Sequence, residues 1–211
     1  MIISILGDSI STYEGYSPSK AVFFDRYNSY ETGIETVEDT WWMQVIRDQD
    51  GELGFNDSLA GSTVAGGMSS SATSYDRIRA LGKNGKPDCI LVFIGSNDWA
   101  YGVMPDQFEQ AYGLMLDRLK ELWPEAEIWC GTIPSGKMVD PAERFFFNMD
   151  GLISPRVYSD IIRKLADSRN IHVVDMAKDG LEYETIDGVH PNKDGMKTLA
   201  DLWLRGIKEG D

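Results

Sequence analysis

Short apolar runs alternate along this chain with longer segments in which apolar residues recur every three or four positions. The short runs predict β-strands, and the longer amphipathic segments predict α-helices. Five runs are of the strand type: residues 2–6, 52–56, 88–94, 127–131 and 171–175. Apart from residues 52–56, where the signal is weaker, these runs are mainly apolar, as is typical of strands covered on both faces. The pattern therefore predicts a buried parallel sheet.

Amphipathic segments follow these runs in turn. Trp42, Val45 and Ile46 have i, i+3, i+4 spacing behind a capping Asp39 or Thr40. Further helices are predicted at residues 74–81, 105–122, 155–168 and 193–207. Five βα units in succession predict a three-layer α/β fold with helices on both faces of the sheet. No repeat or linker interrupts them, so residues 1–211 are expected to form a single domain.

Two aromatic segments lie outside the βα repeat. Residues 12–38 hold Tyr13, Tyr16 and other rings without a steady period, and residues 133–154 hold Phe145 and Phe146. Both segments follow strands, and the loops after parallel strands gather at the carboxyl edge of the sheet, where ligands bind. Two interpretations stay open: the rings pack these loops onto the body of the protein, or they form a substrate rim.

Charge and targeting signals narrow the class of protein. The chain has 34 acidic and 20 basic residues and a net charge of -14, which opposes binding to nucleic acid or to an anionic membrane surface. No apolar stretch approaches the ~18 residues that a membrane span needs. The opening run lacks a basic flank and leads into a turn, so we interpret it as a strand and not a signal peptide. A cytoplasmic protein is expected.

The two cysteines, Cys89 and Cys130, lie in strand-like runs without the spacing of a metal or redox motif. They are expected to be buried free thiols. If the two strands end level with each other at Gly95 and Gly131, the cysteines lie five residues apart along the sheet, or roughly 16 Å. That distance is too long for a disulfide.

The first strand is followed by Gly7-Asp8-Ser9-Ile10. A tight turn at Gly7 would present the Ser9 hydroxyl at the carboxyl edge of the sheet. Alone, such an Asp-Ser pair is more typical of a turn or a helix cap than of a nucleophile.

A second element, Asp187-Gly188-Val189-His190-Pro191, precedes the last helix. A neutral imidazole can take the proton of a serine hydroxyl, and an acid three residues earlier can reach the other ring nitrogen. The second histidine of the chain, His172, lies in an apolar run and is interpreted as structural. His190, in a polar turn with no evident core role, is therefore a candidate base for a serine such as Ser9, and Asp187 is a candidate orienting acid.

Hydrogen-bond donors follow the second and third strands. Asn56 to Gly61 form an N-x4-G element, and Gly95-Ser96-Asn97-Asp98 comes after the third strand. Acyl transfer needs donors at the developing oxyanion, and main-chain N–H groups and an amide serve without adding charge. The main-chain N–H groups of Ser9 and Gly61 and the side chain of Asn97 are predicted to converge there.

These four elements, in this order, resemble the SGNH or GDSL-type hydrolase family over essentially the whole chain. Ile10 replaces the leucine that names the family, and Ser58 stands where glycine is common. The resemblance implies a flavodoxin-like fold with a five-stranded parallel sheet ordered 2-1-3-4-5. It also implies that Ser9 is the nucleophile, His190 the base and Asp187 the orienting acid. The implied oxyanion donors are Ser9, Gly61 and Asn97. The family includes lipases, carbohydrate esterases, thioesterases and acyltransferases.

We therefore predict a serine esterase that acts on small or sugar-linked esters and needs no metal or cofactor. Its substrate rim would comprise Tyr13, Tyr16, Trp99, Phe145 and Phe146. An acyltransferase and a non-catalytic sugar-binding domain on the same fold remain alternatives. A flavodoxin-type electron carrier would leave His190 and Asp187 unexplained. Residues 131–137 match the phosphate-loop pattern GxxxxGK, but Met138 stands where serine or threonine should hold Mg²⁺.

Overall fold

The computed structural model describes residues 1–18, 22–66, 70–138, 153–178 and 181–210. Its central sheet has five parallel strands: β1 (Ile2–Gly7), β2 (Glu52–Ser58), β3 (Cys89–Phe93), β4 (Glu127–Gly131) and β6 (His172–Val174). The strand order is β2-β1-β3-β4-β6. This confirms the predicted order 2-1-3-4-5, because β6 is the fifth strand of this sheet along the chain.

A small second sheet was not predicted. Its two parallel strands are β5 (Ser135–Met138) and β7 (Glu182–Thr185). The exposure of β7 alternates residue by residue, with Tyr183 and Thr185 buried between exposed glutamates, which is the period of a half-buried strand. Because β5 contains the end of the GxxxxGK match, that segment forms a strand and not the turn into a helix that a phosphate loop requires.

Helices cover both faces of the central sheet, as the three-layer prediction requires. They are α1 (Ser29–Thr32), α2 (Trp41–Asp48), α3 (Tyr75–Ala80), α4 (Ser96–Ala100), α5 (Pro105–Leu122), α6 (Pro155–Asp167) and α7 (Lys193–Gly210). The apolar residues of α2 and α7 share one core with one face of the sheet, and those of α3, α5 and α6 share a second core with the other. Trp41 and Trp203 stack within the first core, 5.0 Å apart.

The strand register corrects the predicted separation of the cysteines. Cys89 pairs with Glu127 and Val92 pairs with Cys130, so the cysteines lie three positions apart along the sheet, or about 10 Å, and not five. The reason is that β3 ends at Phe93, two residues before Gly95. Both thiols are free and buried, and burial raises the pKa of each to about 12.

None of the helices within the described ranges is both long enough and apolar enough to cross a membrane.

Candidate active site

Ser9 lies at the carboxyl edge of the sheet, directly after β1. It begins a single 3₁₀ turn, Ser9–Ser11, which Asp8 caps by accepting a hydrogen bond from the Ile10 N–H at 3.0 Å. Gly7 is required because a Cβ at this position would lie 2.8 Å from the hydroxyl oxygens of Ser11 and Ser58. The side chains of Ser11 and Ser58 thus pack directly against the Gly7 backbone, just before the turn that carries Ser9.

Three of the predicted site residues meet in one chain of hydrogen bonds. His190 Nε2 lies 2.9 Å from Ser9 Oγ, and His190 Nδ1 lies 2.6 Å from Asp187 Oδ2. Ser9 and His190 are both largely buried, with 6% and 9% of their surface exposed. The turn before α7 thus brings the imidazole to a serine 181 positions earlier in the chain.

The turn that carries His190 is built around Asp187. Oδ1 of Asp187 accepts hydrogen bonds from the main-chain N–H groups of Val189 at 3.0 Å and His190 at 2.7 Å. Burial opposes ionisation of this carboxyl, but these bonds and the contact with His190 outweigh it and lower its pKa. Asp187 is therefore ionised at neutral pH and holds the imidazole by Nδ1.

Phe23 is a site residue that sequence reasoning missed. Its ring lies parallel to the His190 imidazole, with centroids 3.5 Å apart and an angle of 5° between the planes. Phe24 is buried and meets the same imidazole edge-on at 6.5 Å. The aromatic composition of residues 12–38 is the only sequence signal for this contact, and it does not single out Phe23.

Two of the predicted oxyanion donors follow other strands: Gly61 comes after β2, and Asn97 comes after β3. Gly61 is exposed and has φ = +73°, a conformation that favours glycine. Asn97, in the first turn of α4, donates from Nδ2 to the Ser62 carbonyl at 2.8 Å. Within the described residues, the second N–H of this amide and the main-chain N–H groups of Ser9 and Gly61 have no hydrogen-bond acceptor. These three donors are thus available to a bound group.

A buried arginine holds the Gly61 segment, defined here as residues 59–66. Arg77 pairs with Asp57 through Nε at 2.8 Å, and both side chains are about 95% buried. Its other nitrogens donate to the Gly7 carbonyl at 3.1 Å and to the Ser62 hydroxyl at 2.5 Å. One guanidinium therefore ties the end of β1, the end of β2 and the Gly61 segment together, a role that its place in a short helix does not reveal.

Asp98 holds the same segment through the segment's main-chain N–H groups. Its carboxylate oxygens accept hydrogen bonds from the N–H groups of Val64 and Ala65, each at 2.8 Å. Burial raises the pKa of Asp98 to about 6 in spite of these bonds. Asn56, the first residue of the N-x4-G element, donates from Nδ2 to the Ser11 carbonyl at 2.9 Å and so joins β2 to the serine turn.

A pocket of about 200 Å³ opens beside Asn97 and the turn that carries His190. Among the described residues its walls include Trp99, Ile133, Pro134, Tyr183, Gly188 and Val189. Trp99, one of the predicted rim residues, is held there by a hydrogen bond from Nε1 to the Ile153 carbonyl at 2.9 Å. The pocket is small beside the ~300–1,000 Å³ typical of drug-sized ligands.

Tyr13 and Tyr16, two of the other predicted rim residues, are not in this pocket wall. The Tyr13 ring lies 6.1 Å from that of Tyr16, which in turn lies 6.1 Å from Trp42, and the Tyr13 hydroxyl donates to the Glu35 carbonyl. Tyr13 and Tyr16 therefore contact each other and Trp42 of α2, and their place in a substrate rim stays a prediction. Phe145 and Phe146 lie outside the described residues.

A parallel α/β sheet with a Ser-His-Asp chain of hydrogen bonds at its carboxyl edge is typical of the serine hydrolase class. Comparison with known families narrows this class. The model of the GDSL-like Lipase/Acylhydrolase family matches residues 1–205. The chain belongs to this family, which confirms the resemblance drawn from its four motifs.

Individual relatives agree with this assignment. A multidomain esterase from Ruminococcus flavefaciens is 32% identical over 140 residues, which are 60% of this chain and 16% of that protein. A candidate GDSL-like lipase from Bacteroides ovatus has a similar structure, with a TM-score of 0.74, 22% identity, and coverage of 99% of this chain and 98% of the other. Est24, a carbohydrate acetylesterase from Sinorhizobium meliloti, has a TM-score of 0.71 and 16% identity, with coverage of 99% and 98%. At these identities the two structures show the shared fold.

Proposed function

We propose that the protein hydrolyses short-acyl esters, including acyl esters of carbohydrates, through an acyl-enzyme on Ser9. The observation that carries this proposal is the continuous hydrogen-bond chain from Ser9 Oγ through His190 to Asp187. A serine hydroxyl becomes a useful nucleophile only when a base takes its proton, and this base must itself be held in one tautomer. Asp187 accepts from Nδ1, so Nε2 is left unprotonated and faces Ser9.

In the first half of the reaction, Ser9 Oγ attacks the ester carbonyl carbon while its proton passes to His190 Nε2. The negative charge that develops on the carbonyl oxygen is met by the N–H groups of Ser9 and Gly61 and by the free N–H of Asn97. Donors that are already held in place need no reorganisation when this charge forms. The C–O bond to the alcohol then breaks, and Nε2 returns the proton to the leaving oxygen.

In the second half, water takes the place of the alcohol. His190 Nε2 accepts a proton from the water as its oxygen attacks the acyl carbon, and the same three donors meet the second oxyanion. The proton then returns to Ser9 Oγ as the carboxylic acid leaves. An acyltransferase would use a second alcohol at this step, and the same residues would serve.

The proposed substrate class is supported by the size of the pocket and by the description of a protein with a similar structure. A pocket of about 200 Å³ between Trp99 and Val189 has room for a short acyl group or a small ring. The structural neighbour from Sinorhizobium meliloti is described as a carbohydrate acetylesterase. The net charge of -14 disfavours anionic substrates such as acidic lipid surfaces.

A panel of substrates tests this proposal. Acetylated mono- and disaccharides are compared with nitrophenyl esters of two to twelve acyl carbons, using the wild type, Ser9→Ala and, as a matched control, the exposed Ser168→Ala. We expect turnover to fall steeply as the acyl chain lengthens, and Ser9→Ala to lose ~10⁴-fold or more in kcat. Ser168→Ala should match the wild type.

Other outcomes of the panel would reject the proposal. Activity within tenfold of the wild type in folded Ser9→Ala would remove the acyl-enzyme mechanism. Binding of sugars without turnover of any ester would favour a non-catalytic sugar-binding domain. Product formation that requires an added alcohol would favour an acyltransferase.

A further inference from the structure

The stack between Phe23 and His190 is unusual in its geometry. A centroid distance of 3.5 Å and an interplanar angle of 5° leave almost no lateral offset between the rings. Two neutral aromatic rings avoid this arrangement, because their electron-rich faces repel, and prefer an offset or edge-on contact. A cation over the face of a phenyl ring is attracted instead. The stack therefore suits the imidazolium form of His190 better than the neutral form.

Phe23 is held in this position by the serine turn itself. The hydroxyl of Thr12 donates to the Ser9 carbonyl at 2.9 Å and accepts from the Phe23 N–H at 2.8 Å. The side chain of Asn28 donates to the Phe23 carbonyl. Phe24 is fully buried next to it, so the backbone is anchored on both sides of the ring. Ser9 and the ring that covers His190 are thus connected through one buried hydroxyl.

Two contacts together restrict the imidazole. Asp187 accepts from Nδ1 and sets the tautomer, while the Phe23 ring covers one face of the imidazole and opposes its rotation out of the plane. An imidazole in this position must point Nε2 at Ser9 Oγ, at the observed 2.9 Å. It must also carry a full positive charge at the moment when the oxyanion forms.

We propose that Phe23 is a positioning residue that acts through His190: it keeps the imidazole aimed at Ser9 and stabilises the imidazolium formed in the transition state. The proposal rests on the proposed esterase function and adds a residue to it. Because the attraction is greater for the charged ring than for the neutral one, it lowers the barrier more than it stabilises the resting enzyme. The predicted consequence is an effect on kcat with little effect on KM.

Three variants test the proposal with acetyl-sugar or nitrophenyl acetate turnover. Phe23→Leu keeps an apolar side chain of similar bulk but has no π face, and it should lower kcat about 2- to 30-fold with KM within twofold. Phe23→Tyr restores the π face and should remain within twofold of the wild type. Phe55→Leu makes the same exchange at a half-buried phenylalanine on β2, away from Ser9, and should leave both constants unchanged.

A spectroscopic measurement reports the stack without using activity. Ring protons of a histidine that lies on a phenyl face are shielded, so the His190 signals in the proton NMR spectrum should lie upfield and should move downfield in Phe23→Leu. The His190→Ala variant assigns these signals. His172, which stacks on Trp129 at 4.1 Å, provides an internal control that should not move.

Each possible result decides the proposal. Unshielded His190 protons in the wild type would overturn it, and this measurement does not depend on any variant folding. The proposal would also be overturned if Phe23→Leu had the kcat of the wild type, or if Phe23→Tyr lost as much kcat as Phe23→Leu. An increase in KM alone in Phe23→Leu would overturn it too, because Phe23 would then contact the substrate. Activity retained in Ser9→Ala would instead reject the esterase mechanism on which it rests.

Discussion

Two segments flank the Ser9 turn: charged groups hold one of them, and neutral hydrogen bonds and rings hold the other. The Gly61 segment is fixed by charged groups that are themselves buried: Arg77 donates to the Ser62 hydroxyl, and Asp98 accepts from the N–H groups of Val64 and Ala65. In the described part of residues 12–38, hydrogen bonds with Thr12 and Asn28 hold the backbone at Phe23, and rings make the contact with the site, with Phe24 in the core and Phe23 on His190.

This difference in the kind of contact matches the group that each segment positions, the Gly61 N–H in one and the His190 imidazole in the other. Hydrogen bonds to charged groups are strong and directional, so they suit a segment whose N–H group must point at one place. Ring packing restricts rotation of a neighbour but does not impose a single hydrogen-bond direction, which suits a cover over an imidazole. Breaking a buried charged anchor should therefore cost more than replacing a ring.

The largest effect is expected at Arg77. Arg77→Met leaves the Asp57 carboxylate buried without its partner, and the loss of one member of a buried ion pair costs about 3–5 kcal/mol. Urea unfolding should show this decrease in the free energy of unfolding. Arg79→Met removes an exposed arginine from the same helix and should change stability by less than about 0.5 kcal/mol. Equal stability of the two variants would contradict the role given to Arg77.

The next effect is expected at Asn97, the amide that follows the third strand of the sheet. Asn97→Ala removes a donor that the proposed oxyanion engages, so kcat should fall ~10²- to 10³-fold. KM should change little, because the donor is used mainly in the transition state. Steady-state kinetics with a nitrophenyl ester measure both constants. A large increase in KM at unchanged kcat would instead make Asn97 a ground-state binding residue.

A smaller, pH-dependent effect is expected at Asp8, the residue that caps the Ser9 turn. Burial raises its pKa from 3.8 to about 7. In the unfolded chain the Asp8 carboxyl loses its proton near its ordinary pKa. At a pH between 3.8 and about 7, unfolding therefore releases a proton, and the free energy of unfolding falls as the pH rises. Asp8→Asn keeps an oxygen for the Ile10 N–H and removes this titration.

The measurement is urea unfolding at pH 5 and at pH 7. Between pH 5 and pH 7, the free energy of unfolding of the wild type should fall by about 2 kcal/mol more than that of Asp8→Asn. The reason is that each pKa unit corresponds to about 1.4 kcal/mol. Asp201→Asn, which removes an exposed carboxyl from α7, should behave like the wild type. Parallel losses in the wild type and Asp8→Asn would mean that Asp8 is ionised throughout this range.

These residues also show which parts of the protein the sequence can predict. Ser9, Asn97 and His190 can be proposed from the sequence because each follows or precedes a regular element, and parallel strands bring such positions to one edge. Arg77 was missed because an arginine in a helix is ordinarily solvent-exposed, and its partners at Gly7 and Asp57 depend on the strand order. Phe23 was missed because a loop without a period gives no register for its rings.

The small sheet formed by β5 and β7 illustrates the same limit. The alternation around Tyr183 is a local signal that a closer search could have used. The segment at Ser135 has no such pattern, and it becomes a strand only through pairing with β7. The pairing of β5 with β7, like the contacts of Arg77 and Phe23, depends on segments that are distant in the chain. The periodicity of a single sequence does not show such contacts.

The central claim is that Ser9 is a nucleophile activated by His190, and covalent labelling tests it most directly. The wild type, Ser9→Ala and His190→Ala are treated with an alkyl fluorophosphonate, and the mass of each intact protein and of its peptides is measured. We predict one phosphonyl group on the peptide that contains Ser9 in the wild type, none in Ser9→Ala, and labelling slowed ~10²-fold or more in His190→Ala. An unlabelled wild type, or equal labelling of Ser9→Ala, would contradict the account.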